Sequence, residues 1–220
     1  MSLKTLLDSR HSVRSFLQKP VEPELIKSIF QQAQKSASNC NVQPWQTYVV
    51  SGDTRQALEK SLMTKLMTDP TPAPEFDWTP RYQEKHRDRQ FGSANALYTA
   101  MEIKREDKQA RQMAMAKNWQ FFGAPHAVFF CMEKYLGIMG AVDVGIYAQN
   151  VSLLLEEAGI SSCMQGALGQ FPVEVKEALK IPESMGILFG MSFGYAKPDA
   201  NANKTRTERV ELNESVLFFE

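Results

Sequence analysis

The sequence predicts a mixed fold of helices punctuated by a few strongly apolar strands, and three observations carry that expectation. Pro23 opens a segment in which Ile26, Ile29, Phe30 and Ala33 recur at the i, i+3, i+4, i+7 spacing of one buried helical face. Thr47 to Val50 and Ala127 to Met132 are short apolar runs rich in β-branched or aromatic residues, and Met185 to Tyr195 is another with glycines set into it. Such composition suits core strands. From Leu136 to Leu155 the chain is mostly apolar, but Asp143, Gln149 and Asn150 interrupt it, which favours a buried helix over a bilayer span. Gly137, Gly140 and Gly145 on that helix allow another backbone to come close, in a core or at a subunit interface.

Along the chain, residues 2 to 9 suggest a short helix carrying Leu3, Leu6 and Leu7 on one side. Between Asp69 and Pro80, Pro70, Pro72, Pro74 and Pro80 forbid regular structure, while Phe76 and Trp78 supply large apolar side chains. This is a loop with something to cover. Arg81 to Gln90 mixes both charge signs and reads as a solvated helical face. No long repeat or low-complexity tract is visible, and 220 residues at 43% hydrophobic make one domain, 1–220, the simplest organisation.

Charge and cysteine usage exclude several classes of function. Twenty-five Lys plus Arg balance twenty-five Asp plus Glu, so no global field draws the chain to nucleic acid or an anionic membrane. Any anion binding must be local. Cys40, Cys131 and Cys163 are odd in number and lack CxxC or Cys/His spacing, which argues against a disulfide framework and a zinc site. His86 and His126 have no ligand-spaced partners either. The first twenty residues contain Arg10, His11 and Arg14 without a continuous apolar core, unlike a cleaved export signal. A cytoplasmic protein with reduced thiols is the expectation.

Three polar constellations stand out. Arg10-His11-Ser12-Val13-Arg14-Ser15-Phe16 puts two guanidiniums, an imidazole and a hydroxyl in one short stretch. Each guanidinium is a fixed fork of donors that fits phosphate two at a time. Ser38-Asn39-Cys40-Asn41-Val42-Gln43-Pro44-Trp45 crowds amide and hydroxyl groups before the first strand, and Asn203-Lys204-Thr205-Arg206-Thr207-Glu208-Arg209 brings three cations together near the end. Taken singly, these read as a basic turn, a helix-to-strand turn and a charged tail.

Together, in this order, they resemble the nitroreductase family of flavin enzymes. Phe122-Gly123-Ala124-Pro125 before a strand and Gln165-Gly166 after a short one add to the correspondence, which runs from about residue 3 to the end. The resemblance implies an α+β fold of three α-β-α layers, with a central, mostly antiparallel sheet, a C-terminal extension and an obligate homodimer. It also implies tightly bound, non-covalent FMN at the subunit interface, NADH or NADPH as co-substrate, and nitroaromatic, quinone or related acceptors reduced by a ping-pong mechanism. By the same carry-over Arg10 is a phosphate fork, His11 and Ser12 reach ribityl or phosphate oxygens, and Arg14 lies near N1 and the C2 carbonyl of the flavin.

Ser38, Asn39 and Asn41 would contact the flavin from the partner subunit, and Gln165 and Gly166 would approach N5 with backbone or side-chain donors. Arg206 and Arg209, with Lys204 a third candidate, would close the phosphate site. The flavin would carry the hydride and no side chain would act as a nucleophile. Absence of a G-x-G-x-x-G turn fits a site without a separate dinucleotide domain. Segment 69–90 is where an active-site flap or loop insertion, and acceptor selectivity, are expected. Many relatives have Pro where this chain has Ala37. On the same scaffold, a reductive dehalogenase, a flavin-fragmenting enzyme and a non-catalytic FMN-binding protein are the alternatives, and an adaptor without a cofactor is a further one.

Overall fold

A computed structural model describes residues 1–77 and 81–220. Trp78 and Pro80, named above in the loop after Asp69, lie outside the described residues. Four strands, β1 (Gln46–Ser51), β2 (His126–Glu133), β3 (Ser161–Gln165) and β4 (Met185–Gly194), form one sheet in the order β1-β2-β4-β3. All three pairings are antiparallel, with Val49 opposite Val128 and Cys163 opposite Ser192. Among the described residues seven helices accompany it: α1 (Leu3–Ser9), α2 (Pro23–Ala33), α3 (Gly52–Thr68), α4 (Glu84–Ala100), α5 (Lys108–Ala116), α6 (Gly137–Glu157) and α7 (Pro172–Leu179). The expected α+β fold with an antiparallel sheet is the one found.

Strand β2 shows why three layers form. Ala127, Phe129 and Cys131 alternate with Val128, Phe130 and Met132, and all six are buried. With side chains of period two, both faces of a central strand must be covered, so the run is apolar without a break. Phe129 packs with Leu58 and Leu62 of α3 and Val175 of α7 on one face. Phe130 packs with Ile29 and Ala33 of α2 and Val144, Tyr147 and Val151 of α6 on the other. Truncating one such phenylalanine to alanine typically costs about 3–5 kcal/mol.

Helix α1 begins at Ser2, whose Oγ accepts the Thr5 N–H at 3.2 Å. Only Leu6 of its three leucines is buried, while Leu3 and Leu7 stay exposed. The helix stops at Arg10, which turns extended, and Ser12 then forms a parallel bridge with Ser162 of β3. Val13 donates its N–H to the Ser162 carbonyl at 3.1 Å. The basic heptad is thereby laid along the sheet, with Val13 and Phe16 anchored in the core and Arg10, Ser12 and Arg14 partly exposed.

The proline-rich stretch is tied down at Glu75. Glu75 Oε1 accepts from Lys176 Nζ and Lys134 Nζ, both at 2.9 Å, and Oε2 accepts the Ile187 N–H at 2.9 Å. Burial acts to raise the Glu75 pKa, but the hydrogen bonds from Lys176 and Lys134 outweigh it and hold the carboxyl below its ordinary value. The Phe76 ring lies against Gly186, where a Cβ would come within 2.6 Å of it, so only glycine leaves room at that point. Helix α4, in contrast, runs back toward the heptad.

His126 ties the loop before α2 to the sheet. Its Nε2 accepts the Val21 N–H at 2.8 Å, so the buried ring is neutral and its Nδ1–H donates to Ser51 Oγ. Burial first, and the positive charge of Arg55 second, lower its pKa below 6.5. The unfolded chain therefore takes up a proton near pH 6.5 that the folded chain refuses. Stability held above that pH is lost progressively as pH falls toward the folded value. We expect a lower urea midpoint at pH 5.5 than at pH 7.5, and a smaller difference between the two in His126→Gln. An unchanged difference would show that His126 does not set this dependence.

Candidate cofactor site

A cavity of about 320 Å³ opens where the two ends of the chain meet. Arg10, His11, Ser12 and Arg14 line one side, and Thr205, Arg206, Thr207 and Arg209 the other. Four guanidiniums face one space, yet their side-chain hydrogen bonds go to backbone carbonyls or a hydroxyl. Arg206 Nη1 reaches the Asn203 and Thr205 carbonyls at 2.9 Å, and Arg209 Nη1 reaches Thr207 Oγ1 at 3.1 Å. Among the described residues none of the four has a carboxylate within ion-pair distance. Asp8 also lines the cavity, so four guanidiniums that make no ion pair face a single carboxylate there; that excess of cations makes an anion site, and the fork geometry suits phosphate. His11 Nδ1 lies 2.9 Å from the Ser9 carbonyl, so in the neutral ring Nδ1 carries the proton and Nε2 is free to accept.

A residue without charge holds this assembly in register. Asn203 is buried, and its Oδ1 accepts the Arg14 N–H at 2.8 Å. Its Nδ2 donates to the Ser15 carbonyl at 2.8 Å and the Lys197 carbonyl at 3.0 Å. One amide thus fixes the C-terminal cations against the heptad. In the sequence Asn203 is only a polar neighbour of Lys204, and nothing local marks it. Lys204 itself is not in the cavity and donates to Asn201 Oδ1 at 2.8 Å.

The Ser38 to Trp45 turn lies elsewhere in the same chain, and none of Ser38, Asn39 and Asn41 lines the cavity. Cys40, Asn41 and Gln43 all adopt left-handed backbone, with φ of 48°, 56° and 50°. Non-glycine residues persist in that region only when their surroundings over-determine them, and such strain gathers at functional sites. Here the bracket is Asp143, buried in the middle of α6, whose two carboxylate oxygens receive the Asn39 N–H at 3.1 and 3.2 Å. Ser38 Oγ accepts the Gln43 N–H at 2.9 Å, closing the turn from its other side. Asp143, the one carboxylate between Leu136 and Leu155, was the available signal for this bracket, because a buried polar group requires a partner.

Gln165 is turned inward. Its Nε2 donates to the Asn118 carbonyl at 2.9 Å and its Oε1 accepts from Ser192. Gln165 is itself buried and paired with Gly190 in the sheet, which leaves the exposed Gly166 as the group free to meet a ligand. Cys163 sits behind the heptad, and burial raises its thiol pKa against the opposing pull of Arg14, Ser12 and Arg10, so it remains a neutral packed thiol. Cys40 is exposed in the strained turn.

A second, more open groove of about 480 Å³ shares Arg14 and Ser93 with the cavity. One face of α4 lines it, through His86, Arg89, Gln90 and Leu97. The solvated face expected over 81–90 is exposed throughout, and part of it fronts this groove.

Comparison with known proteins gives one consistent answer. Residues 7–195 match the Nitroreductase family. Nitroreductase NfnB of Mycolicibacterium smegmatis is 34% identical over 217 residues, covering 97% of this chain and 91% of that protein. The 4-nitrobenzoate reductase of Pseudomonas putida is 32% identical over 201 residues, covering 91% of this chain and 88% of the relative. The crystal structure of the FMN and NADPH-dependent nitroreductase NfnB from Sphigopyxis sp. strain HMH superposes with a TM-score of 0.96 at 32% identity, over 100% of both chains. With the family pattern spanning most of its length and two relatives alike along nearly all of it, the protein belongs to the nitroreductase family.

Proposed function

We propose that this chain is an FMN-dependent oxidoreductase that uses NAD(P)H to reduce nitroaromatic, quinone or related electron-poor acceptors in a ping-pong cycle. The observation that carries the reading is the convergence on one cavity, from opposite ends of the chain, of four guanidiniums that make no ion pair, against the single carboxylate of Asp8. That donor set fits FMN: forks for a phosphate, a hydroxyl and an imidazole for a polar chain, and a further cation at the junction with an open groove. When bound, FMN supplies the redox chemistry, exchanging a hydride at its ring between nicotinamide and acceptor.

In this reading the protein holds, orients and tunes. Arg10, Arg206 and Arg209 hold the phosphate, and His11 and Ser12 hold the polar chain. Arg14, which borders both the cavity and the groove, favours negative charge gained on reduction, and it does so without reorganising, because Asn203 fixes its backbone. Gly166 offers backbone to the ring, as its neighbour Gln165 is committed to the core. The NADPH in the name of the NfnB structure above favours that nicotinamide.

A second copy completes the site. Helix α6 buries one face but leaves Ile138, Met139, Val142 and Ile146 exposed on another, with Tyr135 beside its start. Leu212, Leu217, Phe218 and Phe219 of the C-terminal segment are exposed too. An apolar surface of this extent is characteristic of an interface. A homodimer covers it, and the strained turn of Ser38, Asn39 and Asn41 then serves the partner's cofactor.

Purified protein incubated with FMN should be yellow and should bleach anaerobically with NADPH, then recover colour on adding a nitroarene. A colourless protein sinks the reading, and a yellow one that never bleaches makes it a binding protein instead. We expect Arg14→Ala to lower the flavin midpoint potential and slow reduction by about tenfold or more, as loss of one charge-assisted interaction implies. Unchanged stopped-flow reduction would remove Arg14 from its role.

A further inference from the structure

The groove beside the cavity has a composition the cofactor does not use. Tyr82, Ala94 and Leu97 give it an apolar floor, and His86 and Arg89 stand one helical turn apart on α4. Arg14 closes the end shared with the cavity, and no carboxylate is among the lining side chains. The guanidinium of Arg89 is instead engaged from outside, by Glu214 of the C-terminal segment at 3.2 Å, with both side chains about half exposed. An ion pair so wetted is weak and can exchange its carboxylate for another.

We propose that this groove is the acceptor subsite, that it selects aromatic acceptors bearing an anionic group, and that His86 and Arg89 receive the anion while Glu214 acts as its internal competitor. The inference rests on the oxidoreductase reading above and deepens it. An aromatic ring matches the apolar floor, and a carboxylate on that ring meets the cationic side of the groove. The ring's reducible group then lies toward Arg14 and the cavity. His86 and Arg89 are specificity-determining residues here, since neither reaches the groups that hold the phosphate.

The test compares 4-nitrobenzoate with its neutral isostere 4-nitrobenzamide in the oxidative half-reaction, using FMN-loaded enzyme reduced photochemically so that no nicotinamide is present. In the wild type the carboxylate is expected to be preferred. Arg89→Gln should lower the ratio of second-order rate constants, carboxylate over amide, by about fivefold, the size an exposed ion pair allows. Glu214→Gln should raise that ratio, because the competitor is gone. A ratio unmoved in both variants overturns the proposal, as does an effect of Arg89→Gln confined to the half-reaction with NADPH, which would give the cation to a nicotinamide phosphate. If neither nitroarene reoxidises the wild-type enzyme, the oxidoreductase reading itself has failed, and that outcome is distinct from an unmoved ratio.

Discussion

Arg10→Ala should emerge from purification largely without flavin, and its dissociation constant for added FMN should rise by about 10- to 100-fold. A charge-assisted hydrogen bond contributes roughly 1.5–3 kcal/mol, and every 1.4 kcal/mol is about a factor of ten in affinity. The fold should survive the change, because Arg10 caps α1 through its backbone N–H, bonded to the Leu6 carbonyl at 2.9 Å, which alanine retains. Arg206→Ala should act in the same direction. The double variant is expected to fall short of the sum, since both side chains border one cavity and their partners rearrange together. Quenching of flavin fluorescence on titration measures all three. Wild-type affinity in Arg10→Ala would mean that the phosphate lies elsewhere.

The second large effect concerns assembly. Val142 lies in the exposed apolar stripe of α6, 49% accessible in the single chain. In a twofold dimer a substitution there is made twice across one interface. Val142→Glu places an unpartnered carboxylate in each half, and each costs several kcal/mol to dehydrate. We expect sedimentation velocity to show a single-chain species and the flavin to be released with it, as the turn at 38–41 no longer reaches a neighbour's cofactor. Retention of a stable dimer would place the interface on another face. Loss of flavin without dissociation would separate the stripe from the pairing of subunits.

Much of the fold is legible in the amino-acid sequence alone. The strands at Ala127 and Met185 declared themselves because a doubly covered antiparallel sheet leaves its central strands largely apolar; the edge strand at Thr47 did so through its β-branched and aromatic run, and α2 through Pro23 and a regular apolar face. The heptad alone read as a basic turn, and it gained a chemical reading only when taken in order with the 38–45 and 203–209 segments. Helices α3, α5 and α7 were not anticipated, although Leu58, Leu62 and Leu66 of α3 recur at i, i+4, i+8 and face the core; charged and polar residues between them masked the stripe. The supports of the site were hidden for a different reason. Asn203 meets residues 14 and 15 across almost the whole chain, and Asp143 meets Asn39 across 104 positions, so neither partner is visible from local spacing. Asp143 was noticed only as an obstacle to a membrane span. The inward turn of Gln165 likewise depends on Ser192 and Asn118, which only the folded sheet brings alongside.

The amide of Asn203 also sets an order of events in the life of the protein. It joins the backbone at Arg14 to a segment synthesised 189 residues later. While the chain is still on the ribosome, the first arginines exist without the last, and the cavity has only one wall. On the proposed assignment of the cavity, cofactor is expected to load only after the C-terminal segment has left the exit tunnel.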